Sequence, residues 1–108
     1  MPTEPTLKLL PGTPMPLPDY GGGSIVNLMA SLIRSRGGRS PHPDLVGLPA
    51  RALEPARRIV YLVVDGLGQE QLDRHLSSGR GRRFLGAVPH RTITTVFPAT
   101  TAAAITTL

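Results

Sequence analysis

Two short segments of the chain carry the residue types best suited to chemistry. A carboxylate, Asp65, comes directly after the apolar run Ile59–Val64 and is followed by two closely spaced glycines. A pair of hydroxyls, Thr100 and Thr101, follows further along the chain, with Thr101 thirty-six positions after Asp65 (101 − 65 = 36). Carboxylate and alkoxide oxygens both bind divalent cations, so the two segments could share one metal ion if the fold brought them together.

The apolar run predicts the element that would position Asp65. Ile59–Val64 is continuous and rich in β-branched residues, which is typical of a strand buried on both faces. The carboxyl edge of an open α/β sheet is where ligands bind, so the expected strand would present Asp65 at that edge.

A second strand is predicted over residues 91–97, leading through a proline into a helix that starts near Thr100 and Thr101. Hydroxyls at a helix N-terminus face unpaired N–H groups, which favour an alkoxide or a phosphate oxygen there. A helix is also predicted over residues 69–76, ending near Gly79. The order strand, helix, strand, helix predicts an α/β fold with a parallel sheet.

An earlier helix is predicted from Ser24, its N-cap, to about Arg36, where Gly37 and Gly38 would end it. Its apolar residues recur at helical spacing and predict one apolar face: Ile25, Leu28, Met29, Leu32 and Ile33.

Composition limits how much of a domain these elements can form. The chain has 108 residues with 12 glycines and 12 prolines, which leaves little material for a large core. Residues 1–20 are expected to be an extended, proline-rich lead, and residues 21–108 the N-terminal part of one α/β catalytic domain, truncated at the C-terminus. Because there is no cysteine, any metal must be held by oxygen and imidazole.

The net charge of +5 comes almost entirely from arginine. Three arginines cluster at Arg80, Arg82 and Arg83, where a solvated loop is predicted; attraction of a phosphate-bearing substrate and polyanion binding are the alternatives. No aromatic residues are interleaved with the arginines, so specific nucleic-acid binding is not expected. Without a signal peptide or an apolar run of membrane-spanning length, the expected location is the cytoplasm, with no membrane partner.

Spacing separates the known chemistries that begin with such an aspartate. A haloacid-dehalogenase-type phosphatase needs a second aspartate where this chain has Leu67, and a dinucleotide fold needs a third glycine where it has Gln71. A sulfatase-type Cys/Ser-x-Pro-x-Arg site is absent. What remains resembles the type I phosphodiesterase/nucleotide pyrophosphatase family of the alkaline phosphatase superfamily, through residues 63–68, 95–108 and 22–29, so the likeness covers residues 21–108.

The resemblance implies a three-layer domain with a parallel sheet and two divalent metals, normally zinc, flanking a threonine that attacks phosphorus. It implies Thr101 as the nucleophile, with Thr100 as the alternative, and Asp65 as a ligand of the metal that Thr101 binds. The chain departs from the family pattern at Val96, where relatives often carry threonine before Phe-Pro. The remaining ligands would come from beyond Leu108, so these residues alone are expected to be inactive.

The resemblance implies a phosphodiester or nucleotide as the small-molecule substrate. Two alternatives stay open: a related enzyme that acts on phosphomonoesters or phosphonates, and a non-catalytic basic module that binds polyanions through Arg80, Arg82 and Arg83. His42, His75 and His90 are not at metal-ligand spacing and are expected on the surface. The substrate's identity and the oligomeric state are not predicted.

Overall fold

A computed structural model of the chain describes residues 7–79, 85–88, 90–97, 99–106 and 108. Contacts within the chain define two compact units, one comprising residues 1–59 and 93–108 and the other residues 60–92. Within the described ranges the chain forms four α-helices and one short 3-10 turn: α1 (Ile25–Ser35), α2 (Ala50–Leu53), α3 (Gln69–Ser77), the 3-10 turn (Leu85–Ala87) and α4 (Thr101–Ile105).

The predicted α/β fold is wrong for the part of the chain that the structure describes, because no β-sheet forms there. Backbone pairing outside the helices is limited to three isolated bridges: Leu9 with Pro16, Ser24 with Thr94, and Leu45 with Leu48. A parallel strand needs neighbouring strands for its backbone groups and helices over both faces. Neither of the two predicted strands has such partners among the described residues.

The apolar run that predicted the first strand illustrates the difference. Residues 60–64 adopt no helix, turn or strand, and all five are exposed, with Val60 at 91% and Leu62 at 77% of full exposure. The prediction of a strand buried on both faces is therefore wrong for these residues, although the pattern is continuous and apolar. The pattern does not supply the layers that would bury the segment, and they are missing from the described residues.

Replacing Leu62 by lysine therefore tests the absence of a buried strand. Since the side chain is 77% exposed, we expect Leu62→Lys to change the free energy of unfolding by no more than about 0.5 kcal/mol. The matched change at Leu45, which is 5% exposed, should cost about 3 kcal/mol or more because it buries a charge. Urea denaturation of both variants measures the difference, and a large loss in Leu62→Lys would show that the segment is buried.

Helix α1 forms as predicted, with Ser24 at its N-cap and Arg36 at its C-cap. The chain turns away after Arg36 through Gly37, whose φ of +84° lies in the region that favours glycine. However, the expected apolar face is not the buried one, since its members are only half-buried or exposed. The buried side chains of α1 are small or polar: Asn27, Ala30, Ser31 and Ser35.

The first unit is held together by backbone contacts between distant segments. Residues 7–18, expected to be extended, instead fold back in a tight turn in which Leu17 N donates to Lys8 O at 2.7 Å. Thr94 pairs with the start of α1: its N–H donates to Gly23 O at 2.8 Å, and its carbonyl accepts from Ile25 N at 2.9 Å. This single parallel bridge is what forms where the second strand was predicted.

In the second unit, α3 spans Gln69–Ser77, in agreement with the helix predicted over residues 69–76. The chain reaches it through a turn at Asp65 and Gly66, where Gly66 has a φ of +73°. Leu72 and Leu76 are the half-buried residues of this helix, and its other side chains are exposed. Across the part of the chain that the structure describes, no helix is long and apolar enough to cross a membrane.

Candidate functional site

Asp65 lies in the turn that leads from the apolar run Ile59–Val64 to α3. The residue is exposed. It precedes Gly66, whose left-handed conformation makes the sharp change of direction that other residues adopt only with strain. The helix predicted after this carboxylate forms as α3, but the strand and the sheet edge predicted before it do not form among the described residues.

The threonine pair lies at the start of α4. Thr100 is the N-cap, with extended backbone, and its hydroxyl oxygen accepts a hydrogen bond from Ala103 N at 3.2 Å. Thr101 is the first helical residue and is exposed. The two hydroxyls therefore differ in role, because that of Thr100 satisfies a backbone N–H that the helix itself leaves without a partner.

The predicted site residues fall in different compact units of the chain. Asp65 belongs to the unit of residues 60–92, and Thr101 to the unit that contains residues 93–108. Among the described residues, no group of three or more histidine, cysteine, aspartate or glutamate side chains is arranged to hold a metal ion. One carboxylate and one hydroxyl are too few for two zinc ions, each of which takes about four ligands. These residues alone do not form the implied two-metal site.

The histidines and the arginine cluster are the remaining predicted features. His42, His75 and His90 are exposed, as expected from their spacing. Arg80, Arg82 and Arg83, the predicted basic loop, lie outside the described residues.

The largest fully buried side chain among the described residues is Asn27, which the sequence patterns did not single out. Asn27 is fully buried and makes four hydrogen bonds. Its Oδ1 accepts from the N–H and the hydroxyl of Ser24, at 3.1 and 2.8 Å, and its Nδ2 donates to Tyr20 O and Pro43 O, at 2.8 and 2.9 Å. The one available signal was its place three residues after a serine N-cap, which is typical of a side chain that bonds back to the cap.

A second polar cluster orders the segment after α1. The Arg34 guanidinium pairs with the Asp44 carboxylate and also donates to the carbonyls of Ser40 and His42. The other oxygen of Asp44 accepts from Ala50 N at 2.7 Å, at the start of α2. These contacts lower the pKa of Asp44 below its usual 3.8, and the hydrogen bond from Ala50 N has a larger effect than that from Arg34. The carboxylate is therefore ionised at neutral pH.

Comparison with known proteins does not extend this description: the chain matches no protein-family model, no curated protein and no solved structure.

Proposed function

We propose that this chain contributes to a metal-dependent hydrolase of phosphodiesters or nucleotide pyrophosphates, with Thr101 as its nucleophile and Asp65 as a metal ligand. The proposal comes from the motifs around these two residues and from their likeness to the type I phosphodiesterase/nucleotide pyrophosphatase family. The supporting structural observation is the start of α4, where Thr100 caps the helix and Thr101 is its first residue. That arrangement assigns the capping role to Thr100 and favours Thr101 as the attacking hydroxyl.

The proposed reaction has two steps. The Thr101 oxygen attacks phosphorus, the bond to the leaving alcohol or phosphate breaks, and the threonine proton is transferred to solvent. The other substituent of the substrate stays on phosphorus, so the intermediate is a phosphodiester of Thr101. Water then attacks that phosphorus, which restores the Thr101 hydroxyl and releases a phosphate monoester or a nucleoside monophosphate, and the group that left in the first step takes its proton from solvent. A pair of zinc ions would supply charge stabilisation in such a site.

Because the described residues do not complete that site, the proposal requires further carboxylate and imidazole ligands from elsewhere in a longer protein. It does not require a sheet within the described residues. It requires that Asp65 and Thr101 be brought to the same metal, and this is the part that an experiment must test.

The test is Asp65→Asn in the full-length protein, with the bound zinc and the rate of bis-p-nitrophenyl phosphate hydrolysis measured together. If Asp65 ligates the metal, we expect the variant to lose bound zinc and at least about 100-fold in kcat/KM. The matched control is Asp73→Asn, which removes an exposed carboxylate from α3 in the same unit. Equal zinc content and equal rates in the two variants would overturn the proposal.

The choice of substrate separates the alternatives within the same class. A phosphodiesterase should hydrolyse bis-p-nitrophenyl phosphate faster than p-nitrophenyl phosphate, and a phosphomonoesterase should show the reverse preference. No hydrolysis of either by the zinc-loaded full-length protein would exclude both and leave a non-catalytic role.

A further inference from the structure

A pair of adjacent arginines, Arg57 and Arg58, follows helix α2 in the first unit. Both residues are exposed, and both line a concave space of about 680 Å³. We call this space the arginine cleft. Its volume lies within the range of about 300–1,000 Å³ that small-molecule sites occupy.

The turn that carries these arginines is fixed by a third one. Arg36, at the end of α1, donates from Nη1 to Ala56 O at 2.8 Å and from Nη2 to Leu53 O at 2.7 Å. Leu53 O also accepts from Ala56 N at 3.1 Å, so the turn is closed by its own backbone as well. The peptide just before Arg57 is therefore fixed by the Arg36 side chain and by the backbone of the turn itself. A fixed backbone lowers the entropy that is lost when the side chains of Arg57 and Arg58 bind a ligand.

The charge of the cleft is not neutralised by the described residues. The ion pairs found there join Arg34 to Asp44 and Arg74 to Glu70, and neither Arg57 nor Arg58 takes part. Glu54 is the acidic residue nearest to them in sequence, and it is exposed. Two arginines with one acidic residue close to them in sequence leave an excess of positive charge at the cleft, on a chain whose net charge is +5.

We propose that the arginine cleft binds a small molecule through a di- or triphosphate group. A guanidinium presents two parallel N–H donors, which match two phosphate oxygens. Because Arg57 and Arg58 line the same space, two linked phosphates bound there could each be contacted by one arginine. The inference is independent of the proposed hydrolase, because Arg57 and Arg58 are neither Asp65 nor Thr101 and need no metal.

The test is a titration of the 108-residue chain with pyrophosphate in the presence of EDTA. Binding is measured by isothermal titration calorimetry and by changes in the amide chemical shifts. We expect saturable binding with one site, and a loss of at least about tenfold in affinity in the double variant Arg57→Gln/Arg58→Gln. The matched control is Lys8→Gln/Arg39→Gln, which removes the same charge from exposed positions elsewhere in the unit. It should change the affinity by less than about twofold at 0.15 M salt, where distant charges are screened.

Circular dichroism of both double variants checks that they remain folded, as expected for exposed substitutions. Equal losses of affinity in the two double variants would show that pyrophosphate is attracted only by net charge and would overturn the proposal. Absence of saturable binding to the unmodified chain would overturn it as well. Neither result bears on the hydrolase, whose test depends on bound zinc and on Asp65.

Discussion

Replacing Asn27 by alanine is expected to destabilise strongly the unit formed by residues 1–59 and 93–108. The substitution removes all four hydrogen bonds of a side chain that has no exposed surface. It leaves four groups without this partner: the N–H and the hydroxyl of Ser24, and the carbonyls of Tyr20 and Pro43. Each buried polar group left unsatisfied costs roughly 1–3 kcal/mol, so we expect a total loss of about 4 kcal/mol or more.

That loss is large against the whole stability of a chain of this size. At about 0.05–0.15 kcal/mol per residue, 108 residues give roughly 5–15 kcal/mol. Guanidinium denaturation followed by circular dichroism measures the change. The matched control is Gln69→Ala, which removes an exposed amide from the start of α3 and should alter stability by no more than about 0.5 kcal/mol. Similar midpoints for the two variants would show that Asn27 does not hold the unit together.

Asn27→Asp separates hydrogen bonding from shape. The aspartate has the same size and can still accept from Ser24, but its second oxygen would face the carbonyls of Tyr20 and Pro43 in place of a donor. We therefore expect it to be destabilising despite its size. If the Asn27→Asp protein is as stable as the unmodified one, the size of this side chain is what stabilises the unit, and the hydrogen bonds donated by Nδ2 are not.

The helices could be predicted from the sequence because their signals are local. Ser24 before the apolar periodicity marked the start of α1, and the glycines after Arg36 marked its end. The 3.6-residue pattern of Leu72 and Leu76 marked α3 in the same way. Each signal depends on residues within a few positions of one another, so it does not depend on the rest of the fold.

The prediction of a sheet was wrong for the opposite reason, because its signals are not local. A continuous apolar run shows that Ile59–Val64 could be buried, but burial depends on partners that the run itself does not contain. The prediction that the apolar face of α1 is the buried one was wrong for a similar reason. Asn27 and Ser31 are buried because they form hydrogen bonds with Tyr20, Pro43 and Leu45. Those partners are distant in sequence, and periodicity carries no information about them.

The candidate site shares this division between local and distant information. The capping role of Thr100 is local, and its hydrogen bond from Ala103 N follows from its place before α4. Whether Thr101 meets Asp65 is not local, since thirty-five residues separate them (101 − 65 − 1 = 35) and they belong to different units. The motifs therefore show which residue types are present, but they carry no information on whether Asp65 and Thr101 meet.

Thr101→Ala in the full-length protein is expected to lower the kcat of phosphodiester hydrolysis on the order of 1,000-fold or more. The proposed mechanism forms a bond between the Thr101 oxygen and phosphorus, so removing that oxygen removes the first step. Thr101→Ser keeps a hydroxyl at the same place and should retain most of the activity. Rates with bis-p-nitrophenyl phosphate, together with trapping of the phosphorylated enzyme by acid quench and mass spectrometry, measure both effects.

The neighbouring threonine supplies the matched control. Thr100→Ser keeps a hydroxyl that can accept from Ala103 N, so it should preserve both the cap and the rate, and Thr100→Ala should weaken the cap by about 1 kcal/mol. A short helix with a weaker cap could misplace Thr101, so a moderate fall in rate from Thr100→Ala fits the assignment. A phosphate trapped on Thr100, or full activity in Thr101→Ala, would reverse the roles of the two threonines, because the nucleophile alone carries the phosphate.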